Sequence, residues 1–266
     1  MGLASRPVAV VFVLAAMGIA RADSTRMPRK DTSLPLKEYL DKGMPSPDKP
    51  WKQEDYKKAT EVLKSLDPTT YPRSGSLRSG MLFARMTDIS SLKSEIPKMP
   101  VRQRLPRLNE LQMIEGLASP YFKADKEQKS NYDRELVVFI SAALPTDEAL
   151  IAAFNELKST LPKQQAARLE AQMGVVIGLA VADALNGVQS LTAHPPMDAD
   201  VHRSLLQVLR DRLPPLMKSF DEVQQQRIIS DMQKALDKER DADLRKEMAD
   251  FIKSLTETAK GNSAAK

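Results

Sequence analysis

The sequence predicts an all-α fold: an irregular multi-helix bundle, with a hint of a helical-hairpin repeat, preceded by a proline-rich N-terminal arm. Three observations carry this. Apolar residues recur at three- and four-residue spacing in one segment after another, and no run alternates apolar with polar residues as a half-buried strand would. Ten of the 18 prolines lie between Asp23 and Glu110, so that part is cut into short pieces. There is no cysteine, so neither disulfides nor thiolate chemistry is available and stability rests on packing.

The first 22 residues read as a secretory signal. Arg6 supplies the positive start, Val8 to Ile19 the apolar stretch, and Ala20-Arg21-Ala22 a small-x-small cleavage site of bacterial form, with Asp23 opening the mature chain. This predicts an exported protein of the periplasm or exterior, with no transmembrane helix after cleavage. Residues 23–110 form the arm. Asp23 to Leu34 is charged and aperiodic; Leu36, Tyr39 and Leu40 fit a short helix before Gly43; and Pro45, Pro47 and Pro50 forbid one. Tyr56, Ala59, Val62, Leu63 and Leu66 define the next helix, ended by Asp67-Pro68. Met81, Leu82, Arg85, Met86 and Ile89 define another, and Pro97, Pro100 and Pro106 form a break.

Residues 111–260 form the helical domain, with 261–266 a polar tail expected to fray. A helix around Leu108, Leu111, Ile114 and Leu117 should end at Ser119-Pro120. Ser130 and Asp133 resemble a capping box for Leu136, Val137, Ile140 and Leu144, and Thr146 should cap a separate helix carrying Leu150, Ile151, Phe154 and Leu157. Pro162 opens the next helix, closed by Asn186-Gly187. Val201 to Leu213 is amphipathic and should stop at Pro214-Pro215; Ser219 to Glu222 reads as a capping box before Val223 to Leu236; and Leu244 to Leu255 completes the set. The Leu-Pro pairs at Leu144, Leu161 and Leu213 suggest the hairpin repeat, although their spacing is irregular.

Met173 to Leu185 is the least polar stretch after the signal, with Asp183 its only charge. A helix apolar on nearly all sides belongs at the centre of a bundle. Gly174, Gly178 and Ala182 recur every four residues, and interior glycines cost about 1 kcal/mol each relative to alanine. They are therefore expected to form the closest helix crossing. The run is shorter than the ~20 apolar residues a membrane span needs.

Without residues 1–22 the net charge is only +3, 38 basic against 35 acidic residues, which is not the signature of a nucleic-acid binder. One segment is locally basic. Between Arg73 and Arg107 eight basic residues face only Asp88 and Glu95, and Arg73, Arg78, Arg85, Arg102 and Arg104, with Ser-Gly turns ahead of a helix, form a candidate anion site. The alternative is a solvated segment whose arginines pair with acidic helices. His194, Asp198, Asp200 and His202 bring both histidines and two carboxylates within nine residues, a candidate site for a divalent metal. The same residues fit a plain helix start, with Asp198 the N-cap, Asp200 a first-turn acid and His202 exposed.

No G-x-S-x-G, Walker, dinucleotide or H-E-x-x-H motif is present, and Trp51 is the sole tryptophan for stacking sugars. Thirteen methionines, among them Met81, Met86, Met99 and Met113, suit gap-filling or an adaptable groove. The reading is an exported, non-catalytic envelope binding or scaffolding protein that contacts a protein or an anionic envelope component, with no resident cofactor. The alternative is a metal- or carboxylate-dependent envelope hydrolase. The sequence specifies neither a partner nor an oligomeric state.

Overall fold

A computed structural model describes residues 33–46, 49–75, 79–127, 131–192 and 197–264, in which every regular element is a helix and no strand occurs. The signal segment, Arg78, Ser130 and His194 lie outside the described residues. Helix α1 (Ser33–Glu38) runs into a π-helical turn, and α2 (Gln53–Ser65) begins where the Asp55 carboxylate accepts the Lys52 N–H at 2.8 Å. Asp67 stops α2 and starts a short 3-10 turn by accepting from both the N–H and the hydroxyl of Thr69. Next come α3 (Ser79–Met86), the one-turn α4 (Ser91–Ser94), α5 (Val101–Gln112) and α6 (Ile114–Lys126). The long elements are α7 (Asp133–Thr160), α8 (Lys163–Ser190), α9 (Ala199–Met217), α10 (Glu222–Lys238) and α11 (Ala242–Ala264).

Two apolar clusters organise these helices. The first is aromatic and joins Tyr39, Trp51, Tyr56, Tyr71, Phe83, Tyr121, Tyr132 and Phe139 with the inner faces of α2, α3 and α6. The second is aliphatic and gathers α5 and α8 to α11 around Leu144, Leu150, Val176, Leu205, Leu209, Met232 and Met248. Helix α7 serves both. Leu136, Phe139 and Ala142 enter the aromatic cluster, whereas Val137, Ile140 and Leu144 enter the aliphatic one.

Helix α7 is therefore the axis, and the expectation that Met173 to Leu185 would be central is corrected. Helix α8 has one buried face, with Leu169, Val176, Ala180, Ala184 and Val188, and one open face. Gly174, Gly178 and Ala182 are exposed, and a Cβ added at either glycine would meet nothing within 4 Å. The glycine at the close crossing is Gly187, where an added Cβ would lie 3.0 Å from Leu209 and 3.4 Å from Ile140. Hydrophobic period identifies the faces of a helix but not which of two weakly polar faces its neighbours cover.

The prolines behave differently from expectation. Pro106, Pro120, Pro145 and the pair Pro214-Pro215 lie inside α5, α6, α7 and α9 rather than between helices. A proline in a helix interior removes one hydrogen bond and costs about 3 kcal/mol. Around Pro145 the backbone stays helical because Leu136 to Phe154 is buried on two sides, and the Thr146 hydroxyl donates to the Ala142 carbonyl at 2.8 Å instead of capping a new helix. Two further corrections concern termini. The α10 capping box is Asp221 with Gln224, closed by bonds of 2.8 and 2.9 Å, rather than the one starting at Ser219. Helix α11 runs through the expected tail to Ala264.

The aromatic cluster is fixed by hydroxyls as well as rings. Tyr132 Oη donates to the Pro68 carbonyl at 2.6 Å and accepts the Tyr71 N–H at 3.1 Å, and Tyr121 Oη donates to the Pro72 carbonyl at 2.9 Å. The Arg73 guanidinium lies 3.8 Å over the Tyr132 ring. Replacing Tyr132 by phenylalanine keeps the ring but orphans a buried N–H and a carbonyl, so it should cost about 1–3 kcal/mol in a denaturant titration. A loss indistinguishable from zero would show that water reaches these groups.

Candidate functional site

Three carboxylates from three helices converge inside the bundle. Glu115 lies at the start of α6, Asp147 in the middle of α7 two residues after Pro145, and Asp183 on the covered face of α8. One oxygen from each lies within 4.8 Å of the other two. Asp147 is fully buried and Asp183 is 9% exposed. Gln112, the last residue of α5, donates through Nε2 to Asp147 Oδ1 at 3.4 Å. Glu115 Oε1, Asp147 Oδ2 and Asp183 Oδ2 are enclosed and receive no hydrogen bond.

Burial of ionised carboxylates with no countercharge is costly. Desolvation pushes Glu115 well above the usual carboxylate range, and the charges of Asp183 and Asp147 push it further. Asp147 is raised by burial and by Asp183, and Asp183 is pushed up to about 7 by burial. Every charge acting on these groups belongs to another member of the cluster. Chemically, such a cluster can share protons or hold a hard cation. It is an unpromising catalytic centre, because Asp147 and Asp183 are enclosed and a glycan or peptide would have to open the bundle to reach them.

The basic segment folds back on the protein. Arg73 donates to the Asn131 carbonyl and lies 3.5 Å from the buried Glu135 carboxylate, which also accepts the Ser74 N–H and hydroxyl at 2.8 and 2.7 Å. Arg85 donates to the carbonyls of Ser46, at 3.2 Å, and Lys49. Arg104 grips both oxygens of Glu156 at 2.6 and 2.7 Å, fastening α5 to α7. Arg102 is exposed, as are Lys93 and Lys98. These pairings follow the ordinary behaviour of arginine, whose planar fork matches carboxylates and carbonyls.

Arg73 and Asp198, 125 positions apart, line one surface depression of about 360 Å³ with Asp133, Arg134 and Glu135. Two arginines there face three acids, so the depression offers an anion no net positive charge. Asp198 caps α9 by accepting the Asp200 N–H at 3.0 Å, and the Asp200 side chain is 94% exposed. Among the described residues the one group of three metal-capable side chains within reach of each other is Glu115, Asp147 and Asp183; Asp198, Asp200 and His202 do not form such a group.

His202, expected to be exposed, is buried between α9 and the end of α10. Its Nδ1 lies 3.2 Å from Glu239 Oε2, while Nε2 is enclosed and unbonded. Burial lowers its pKa, and the opposing pull of the Glu239 and Asp241 charges is smaller, so the neutral ring is favoured. As pH falls through the ordinary histidine range the unfolded chain takes up a proton and the folded one resists, so stability is lost with acidification. Replacing His202 by glutamine, which is polar but does not titrate, should reduce the fall in melting temperature between about pH 7.5 and about 5.5. Parallel pH profiles for the two proteins would contradict this account.

The sequence carried a signal for the carboxylate cluster, although not one of spacing. Each member is an acid interrupting an apolar helical stripe: Asp183 as the only charge in Met173 to Leu185, Asp147 among Leu144, Leu150 and Ile151, and Glu115 between Ile114 and Leu117. No family model, no curated protein and no solved structure matches this chain.

Proposed function

We propose that the protein is an exported, non-catalytic binding or scaffolding protein of the bacterial cell envelope, and that it engages a helix of a partner protein through the open face of α8. Export rests on the signal-like residues 1–22. The observation that carries the binding role is the exposed strip on α8. Four large apolar side chains are exposed among the described residues, and two of them, Val175 at 45% and Leu179 at 36%, stand one turn apart on this face beside Gly174, Gly178 and Ala182.

Helices α7 and α8 are both long and apolar enough to cross a membrane, but they differ in how that surface is used. The most apolar stretch of α7 is 67% buried in the bundle, that of α8 only 44%. Exposed apolar surface beyond what a monomer needs is the usual mark of a contact surface. Small residues every four positions between the Val175 and Leu179 side chains form a groove shaped for the ridge of another helix. A lipid surface would call for bulky apolar residues with a rim of lysine and arginine, and this strip has a mixed border of Arg168, Glu170 and Gln172. An additional anionic contact would fall to Arg102, Lys93 and Lys98, since Arg73, Arg85 and Arg104 are engaged internally. The hydrolase alternative is disfavoured by the enclosure of the carboxylates.

The test is a photoactivatable residue placed at Leu179, or as a control at exposed Ser230 on α10, in the native host. The expected result is a discrete adduct with another protein from Leu179 alone, abolished by an added Gly178→Glu change. No adduct, a lipid adduct, or equal adducts from both positions would overturn the proposal.

A further inference from the structure

We infer that Glu115, Asp147 and Asp183 form an internal site for one hard divalent cation, of the calcium, manganese or magnesium kind, that ties α6, α7 and α8 together. The site is independent of the partner proposed for the outer face of α8, and its test does not involve that partner.

Clustering of acids alone would not suffice. The pointer to a ligand is the state of the oxygens that face each other. Asp147 is wholly buried and Asp183 nine-tenths buried, and each has an enclosed oxygen with no donor, as does Glu115. A bundle that brings three acids to one point, from positions 115, 147 and 183, ordinarily supplies a lysine or arginine to meet them. Among the described residues no cation faces these acids: their polar neighbours are one another and the neutral Gln112 amide, 3.4 Å from Asp147 and also beside Glu115. Protons shared between these acids relieve them only in pairs, through Glu115. A cation satisfies all three enclosed oxygens at once.

The geometry and the donor set select the cation. Oxygens coordinating calcium lie about 2.3–2.6 Å from the ion, so two on opposite sides are about 4.6–5.2 Å apart. The three donor oxygens lie within 4.8 Å of one another, so none is too far from the others to share one such ion. The donors are all carboxylate oxygens, with no thiolate and no imidazole, which disfavours ions that seek nitrogen or sulfur. Three carboxylates leave a net charge of −1 on the site with the ion bound. The Gln112 amide and water are the natural sources of the remaining ligands.

The full chain, dialysed against chelator, would be titrated with Mn²⁺ and followed by electron paramagnetic resonance and by melting temperature, with Ca²⁺ and Mg²⁺ as competitors. The expected result is saturable binding of one Mn²⁺ per chain, displaced by one of the competitors, with a rise in melting temperature. In Asp183→Asn and in Glu115→Gln, on two different helices, affinity should drop by more than the ~10-fold seen when even an outer partner of a metal ligand is removed. Circular dichroism in chelator would confirm that each variant is folded, and either folded variant suffices. Absence of saturable Mn²⁺ binding to the native chain, or binding unchanged in a folded variant, would overturn the inference, as would a melting rise of equal size in native and variant proteins.

Discussion

In the presence of chelator, Asp183→Asn is expected to be more stable than the native protein. The substitution changes almost no volume, removes a buried acid whose ionisation is opposed by desolvation and by its two neighbours, and places an amide beside the enclosed oxygens of Glu115 and Asp147. Burial raises the Asp183 carboxyl to about 7, so holding it ionised above that pH costs on the order of a few kcal/mol that an asparagine does not incur. For a chain of this size that is several degrees in melting temperature, at about 2–4 °C per kcal/mol. The effect arises from desolvation and repulsion, so it is expected whether or not a cation binds. A melting temperature lowered in chelator would mean that Asp183 is held by partners stronger than those seen around it.

The second large effect is expected at Gly187. A leucine there would drive its side chain into Leu209 and Ile140, which stand 3.0 and 3.4 Å from the position of the first added carbon. Overpacking of this kind costs about 1–3 kcal/mol, and more where two neighbouring helices must separate. Gly178 makes the comparison informative, because nothing lies within 4 Å of an added Cβ and the residue is exposed. Gly178→Ala should therefore stabilise by up to about 1 kcal/mol through helix propensity alone. Thermal unfolding of the two variants would decide between the two crossings. A destabilising Gly178→Ala with a tolerated Gly187→Leu would restore the crossing expected from sequence.

Much of the fold could be read directly, because apolar spacing reports helices one at a time. The apolar sets at Tyr56 to Leu66, Val201 to Leu213 and Leu244 to Leu255 correspond to buried faces of α2, α9 and α11. What could not be read depends on neighbours. Pro145 looks like a stop because its local cost is visible in the sequence, whereas the burial of α7 on two sides that overrides it is not. The two faces of α8 are about equally apolar in sequence, and only packing shows that Ala180 and Ala184 turn inward while Gly174 and Gly178 turn outward. The basic segment looked free because the partners of Arg73 and Arg104, Glu135 and Glu156, lie more than fifty positions away. The carboxylate cluster joins three helices that spacing rules cannot relate. Asp183 was conspicuous, but its companions were not.

The two-sided burial of α7 also bears on how the chain comes apart. Phe139 and Ile140 are adjacent in sequence, yet one packs with Tyr121 and Phe83 and the other with the aliphatic cluster. Neither cluster can lose α7 without uncovering its own interior, so the seam near Glu110 is a change of composition rather than a line along which the molecule divides. A fragment of residues 111–260 would carry the bare side of α7 and α6 into water and should form a loosely packed, dye-binding state, detectable by loss of near-ultraviolet circular dichroism. The intact chain should unfold in one concerted transition, with both clusters melting together.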